Sequence, residues 1–405
     1  RSFKADGTPN ASGFVYTYAA GTLTPLATTV TPGGSANTNP VALGVDGSAT
    51  ICLTDGVAYR FIEKDSTGAA IPGGDVDDIV ASGSIAADLA SSATGKGSKL
   101  VAWILRATGA VARWVEDKLS DTVSVKDFGA DSTGATSASS AIQAALNTGK
   151  SVYIPQGTYL ITSALQLKTT LQRVYGDGGL SVLLRSTDIE MMYSSTDVYG
   201  VDLDGLQFNC TVSEITTGPT KFHVHFGTGA SGCNIRNCAF NTALTGAYVR
   251  TTHHAGVWFE GANLNNILDC TFGQAQILMG STDSTIRGGY IYSFSFEYAI
   301  KITSAGDVVV EGVRGILGGP SKGCIWIPAA SYMNKIVNNY FGGSYTTINI
   351  GNGITAEMPQ MLQVIGNTFH EVDKIAVNLT NPASGNVISG NSFWSGYAKQ
   401  NDPTF

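Results

Sequence analysis

Apolar positions along the second half of the chain recur in two interleaved columns. The first reads apolar-x-x-turn-x-aromatic, as in Ile235-Arg236-Asn237-Cys238-Ala239-Phe240 and Ile267-Leu268-Asp269-Cys270-Thr271-Phe272. It returns over 286–291, more loosely over 309–314, and again over 336–341, 364–369 and 388–393. The second is apolar-x-apolar, with His225, Trp258, Leu278, Lys301, Trp326, Asn349 and Asn378 at its middle positions. Successive steps are mostly roughly 20–33 residues, the spacing of one structural repeat. Each repeat therefore predicts one coil with at least two strands, and equivalent residues stack about 4.8 Å apart on parallel neighbours. Period-two alternation turns the flanking apolar residues inward and the middle residue outward. Asn339, Asn367 and Asn391 share one corner, where an amide tolerates left-handed backbone and can bond its stacked neighbours. These patterns predict a parallel β-helix, with weaker coils preceding it near 182–184 and 201–208.

The first half reads differently. Residues 1–72 are short alternating strands between turn signals such as Asp6-Gly7, Pro32-Gly33-Gly34 and Asp46-Gly47, which predict a small antiparallel β module. From 73 to 98 Ala, Ser, Gly and Asp dominate, as in a linker. Within 99–122, Val111, Val115 and Leu119 form a stripe predicting a helix over 109–119. So short a helix is marginal alone and needs a partner surface. A second helix is predicted over 137–147, ended by Gly149, before a return to strand at Ser151-Val152-Tyr153-Ile154.

Composition narrows the function. Only 14% of residues are charged and 49 are Gly, which fits short strands and many turns. With a net charge of −7 and no basic run, nucleic acid is not an expected partner. No run of about 18 apolar residues occurs, so no membrane insertion is expected. The six cysteines form no CxxC pair and read as reduced, buried small hydrophobes.

Three segments together resemble a known family. Val123-Ser124-Val125-Lys126-Asp127-Phe128-Gly129-Ala130, the helix after it, and Val152-Tyr153-Ile154-Pro155-Gln156-Gly157-Thr158-Tyr159 resemble the opening motif of pectate-lyase-like β-helix proteins. With Gly109-Ala110-Val111-Ala112-Arg113 and Asp117-Lys118-Leu119 ahead of it, the segment is similar to the neck of bacteriophage tailspikes. The run Gly13-Phe14-Val15-Tyr16-Thr17-Tyr18 resembles their virion-attachment module. The resemblance implies an all-β chain with a right-handed parallel β-helix (123–405) behind the attachment module and helical neck. It also implies a homotrimer on the virion tail, made in the bacterial host cytoplasm and attached to tail or baseplate proteins by the amino-terminal module. Its expected ligand is bacterial surface polysaccharide, capsule or O-antigen, bound and depolymerised during adsorption. The alternative is a non-catalytic receptor-binding or structural tail fibre. Tailspikes usually continue past the last coil, so the chain is expected to be a fragment lacking its carboxy-terminal part.

The candidate chemistry follows from the outward residues. Trp258 and Trp326 in outward positions suit stacking on sugar rings, with Lys301, His225 and Asn349 as polar partners. Glycoside hydrolysis needs an acid and a base or nucleophile, and Glu260, Asp269, Glu297 and Glu311 are the candidate carboxylates. Asp269 and Glu311 read as one slot of the first column two rungs apart, about 9–10 Å, which suits an inverting pair. A lyase would need a base such as Lys301, Arg287 or His225, and nothing selects among them, so hydrolysis ranks first. His223 and His225 share a strand face, with His253-His254 on the next coil, but a third ligand is missing. Asp202 and Asp204 share a face that could hold a cation. No metal or cofactor is expected.

Overall fold

The computed structural model describes residues 1–54, 56–81, 88–194, 197–211, 221–242, 256–293, 296–303, 306–318, 323–329, 331–342, 352–357, 359–370, 372, 375–382 and 384–394. Two compact units divide the chain, Arg1–Leu119 and Ser120–Phe405.

The first unit holds a four-stranded antiparallel sheet. Phe14–Ala19 lies between Val41–Ala42 and Tyr59–Lys64, and Ala70–Ile79 completes it. The expected alternation holds: Val15 and Thr17 are buried, and Val15 joins Val41 and Leu43 in a small core. The sheet does not stop at Pro72, because Ala70–Ile79 carries it into the segment expected to be a linker. Phe61 pairs with Val76 and Ile62 with Asp75, and Arg60 grips Asp75 with two hydrogen bonds of 2.8 and 2.7 Å. The helix expected over 109–119 is shorter too. Arg113–Trp114 pairs antiparallel with Ala102–Trp103, which leaves only Val115–Leu119 helical. Val111 and Leu119 of the predicted stripe are 72% and 69% exposed in the single chain.

The second unit is a parallel β-helix of three sheets. Among the described residues sheet 1 contains 11 strands, including Asn234–Arg236 and Asn266–Leu268; sheet 2 also contains 11, including Ala239–Thr242 and Thr271–Gly273. Sheet 3, with nine described strands, includes Val224–Phe226, Gly256–Phe259, Gln276–Met279, Tyr298–Ile302 and Gly323–Ile327. The two sequence columns are sheets 1–2 and sheet 3. Ile235, Ile267, Ile286, Val310, Ile336, Val364 and Ile388 are paired in one row. The loose repeat over 309–314 is therefore framed one residue early: Val310, not Val309, holds the inward place.

Inside, like residues stack on like. Phe208, Phe240 and Phe272 are stacked at 4.9 and 4.8 Å, and Phe341 and Phe369 at 4.6 Å, with the exposed Phe393 continuing that row at 5.3 Å. Offset ring stacking adds to the burial of each ring. The asparagine corner is a buried ladder: Asn339 Nδ2 donates to Asn367 Oδ1 (3.1 Å), and Asn367 Nδ2 donates to Asn391 Oδ1 (3.0 Å). The left-handed conformation falls one residue earlier, on Asn338, Gly366 and Gly390. The ladder amides instead face the core and satisfy backbone groups of the coils on either side.

The helix Ser139–Leu146 forms close to its predicted place and closes the open end of sheet 3. Ile142, Ala145 and Leu146 are buried in the main core. Gln143 exchanges two hydrogen bonds with the backbone of Gln166, supplying partners to a strand edge that would otherwise have none on that side.

Candidate functional site

The outer face of sheet 3 carries one straight row of side chains, fixed by register: Gln166, Tyr193, His225, Trp258, Leu278, Lys301, Trp326, Thr355 and Asn378. The sequence-predicted outward residues His225, Trp258, Lys301, Trp326 and Asn378 all lie on it. Asn349 lies outside the described residues, and the place beside Trp326 belongs to Thr355 of the strand Asn352–Glu357.

Two clusters sit on this row. In the first, the His225 imidazole stacks on the Trp258 indole, ring centroids 4.2 Å apart and planes 7° from parallel. Phe222 packs on the same indole at 5.4 Å. His225 Nδ1 is 3.0 Å from Glu190 Oε1, and Nε2 is 3.4 Å from Glu260 Oε2. The hydrogen bond from His225, with the charges of His225, Lys221 and Arg185, holds the Glu190 carboxyl below its ordinary range despite partial burial. One imidazole thus stands between two carboxyls, the number of carboxyl groups that glycoside hydrolysis uses.

The second cluster surrounds Trp326. Lys301 Nζ lies 3.3 Å from Glu297 Oε2, just ahead of its own strand, and 6.0 Å from the Tyr298 ring. Tyr298 stacks on Trp326 at 6.2 Å, and Trp326 Nε1 donates to Glu357 Oε1 at 3.1 Å. Glu190 and Glu357 were not among the sequence candidates. Glu190 lies in the segment leading into Met192–Ser194, where no repeat pattern marks it. Glu357 ends a strand whose repeat was placed too early in the sequence.

The remaining carboxylates go elsewhere. Asp269 sits in the left-handed position of the corner between sheets 1 and 2, level with Gly288 and Gly312. Glu311 pairs with Arg287 and Val337 and is thus one residue out of the slot assigned to it. The pairing of Asp269 with Glu311 rested on the misframed repeat. Neither meets Glu260 or Glu297, which belong to sheet 3 and its flanks.

Asp202 and Asp204 do hold cations, but they are arginines. Arg173 Nη2 is 2.9 Å from Asp204 Oδ2, and Arg236 binds Asp202. His223 faces away from His225 into the core, where its Nδ1 accepts the Gly256 N–H at 2.7 Å. Desolvation pushes the His223 pKa well below 6.5. His253 and His254 lie outside the described residues. The cysteines are free, with Cys210, Cys233, Cys238, Cys270 and Cys324 buried. Among the described residues no helix is long and apolar enough to cross a membrane.

Three parallel sheets wound around one core, with aromatic and carboxylate side chains aligned on an outer face, define a parallel β-helix of pectate-lyase type. The chain belongs to the rhamnogalacturonase A/epimerase, pectate lyase-like family, whose model matches residues 122–324. The likeness to phage tailspikes is also met. A tail spike protein of an Escherichia phage is 40% identical over 67 residues, 16% of this chain and 8% of that protein. The enzymatically active domain of tailspike protein 2 from bacteriophage CBA120 superposes with a TM-score of 0.52 at 16% identity, covering 72% of this chain and 45% of that one. The chain thus spans a small part of the first relative and less than half of the second.

Proposed function

We propose that this chain is part of a homotrimeric bacteriophage tailspike, carried on the virion tail by its amino-terminal module, which binds bacterial surface polysaccharide and cleaves it by hydrolysis. The observation that carries this reading is the Glu190–His225–Glu260 arrangement beside Trp258. A sugar chain running along sheet 3 meets aromatic edges, a cation at Lys301 and the acceptors of Glu260 and Glu297. Glu190 is held ionised by His225 and suits the base. Glu260, the more exposed of the pair at 38%, can swing to a glycosidic oxygen and suits the acid. Asp269 and Glu311 have no part in this site.

The test is incubation with purified host-surface polysaccharide. New reducing ends that disappear in Glu260→Gln and Glu190→Gln, while binding persists, support the reading. Binding without new ends would reduce it to a receptor-binding fibre. Unsaturated products would make it a lyase.

A further inference from the structure

One buried charge lies behind the Glu190 cluster. Arg185, the last residue of the sheet 2 strand Ser181–Arg185, turns inward and is fully buried. Taking a guanidinium out of water is costly unless hydrogen bonds replace the lost hydration, and here Nε has no acceptor. A methionine of similar length would fill the place at less cost, so packing alone does not account for the arginine.

Its two terminal nitrogens reach the site from inside. Nη1 donates to the Ile189 carbonyl, and Nη2 donates to the Lys221 carbonyl at 2.7 Å. The first carbonyl shares its peptide plane with the N–H of Glu190, the second with the N–H of Phe222. Phe222 packs on the Trp258 indole at 5.4 Å and beside the His225 ring at 6.5 Å. One planar fork thus holds the peptide of the carboxylate and the peptide of the ring that supports its imidazole partner. Strand pairing does not do this, because the ladder between these coils starts at Met192 and Val224, past both residues. Asp188 adds a second fastening: its Oδ1 accepts the Lys221 N–H at 3.1 Å and lies 3.8 Å from Arg185 Nη1.

We infer that Arg185 is a positioning residue, whose buried fork sets the Glu190 carboxyl against His225. It does so for the cleaving group read from Glu190, His225 and Glu260, on which this role rests. Having no exposed surface, Arg185 touches no sugar itself. Its charge adds to the His225 hydrogen bond that keeps Glu190 ionised. The other charged groups around Glu190 are His225 and Lys221, with Asp188 in the same loop and Glu260 across the imidazole.

The experiment compares whole wild-type protein with Arg185→Met, Arg185→Lys and Asp188→Ala. Two quantities are read: the titration of the Glu190 carboxyl by NMR, assigned with Glu190→Gln, and the pH profile of kcat and KM on purified host-surface polysaccharide. Met fills the same space without donors, so the Glu190 midpoint is expected to rise towards the ordinary carboxylate range, and the acid limb of kcat to rise with it. A misplaced base should lower kcat about a hundredfold while KM stays within about twofold. Lys keeps the charge but has no planar fork for two carbonyls, so it should restore the midpoint more than the rate. Asp188→Ala, at an exposed side chain, should act in the same direction more weakly, and it decides the matter should Arg185→Met not fold. A purely structural role would lower the melting temperature and leave midpoint and profile alone. The inference is overturned if folded Arg185→Met, or Asp188→Ala in its place, leaves Glu190 titrating as in wild type, or leaves the kcat of a cleaving enzyme unchanged. If wild type makes no new reducing ends, the cleavage reading fails, and the Glu190 titration still decides the role of Arg185.

Discussion

The imidazole of His225 lies flat on the indole of Trp258, and its two nitrogens face Glu190 and Glu260. One aromatic stack thus fixes the plane on which both carboxylates converge. Side-chain positions one rung apart on a parallel sheet make this contact automatic. Truncating Trp258 to Ala removes the stacking and leaves the imidazole free to tilt. The expected result is a loss of stability of about 1–2 kcal/mol, the scale of an aromatic pair with part of its burial. Polysaccharide binding should fall at least tenfold. Thermal melting and an affinity measurement on the same variant check both.

Acid sensitivity is predicted from His223. Its folded pKa lies well below 6.5, through desolvation and the nearby Arg185 charge, so the unfolded chain takes up a proton that the folded chain refuses. Stability is therefore whole above pH 6.5 and declines as pH falls below it, by up to about 1.4 kcal/mol per pH unit. Glu190 acts lower on the scale. Its folded pKa is depressed, so its contribution is present above the ordinary carboxylate value and is lost as pH drops through the folded one. His223→Gln keeps an acceptor for the Gly256 N–H and should flatten the decline between pH 6.5 and 5, read by urea unfolding at each pH.

Asn367 is the middle rung of the amide ladder, bonded to Asn339, Asn391 and the Ile336 carbonyl. Asn367→Leu strands the Asn339 N–H and the Ile336 carbonyl in a dry interior. Each orphan costs about 1–3 kcal/mol, so a loss of about 3–5 kcal/mol is expected. Equilibrium unfolding measures it, and a loss under 1 kcal/mol would show that the ladder is dispensable.

Thiol reactivity should divide the cysteines. Burial pushes Cys233 up to about 11 and Cys324 up to about 12, and Cys238 well above 9, so these remain protonated at neutral pH. Cys52 alone is part-exposed. Alkylation of the native protein is expected to modify one thiol rapidly and the other five only after denaturant is added, as counted by intact mass.

Much of this protein was legible in the order of its residues. Inward and outward alternation at a steady repeat is a local property, so it announced the coil, the sheet 3 row with Trp258, Lys301 and Trp326, and the asparagine corner before any coordinates. The amino-terminal strands were legible for the same reason. What failed was counting across turns. Starting one repeat at Val309 instead of Val310 put Asp269 and Glu311 in one slot. Likewise the repeat holding Asn349 was set too early, which concealed Glu357. Glu190 and Glu260 meet on His225 only because consecutive coils bring residues some thirty-five apart within reach. Such contacts depend on loop lengths and register, which the winding of the chain sets and no single repeat encodes.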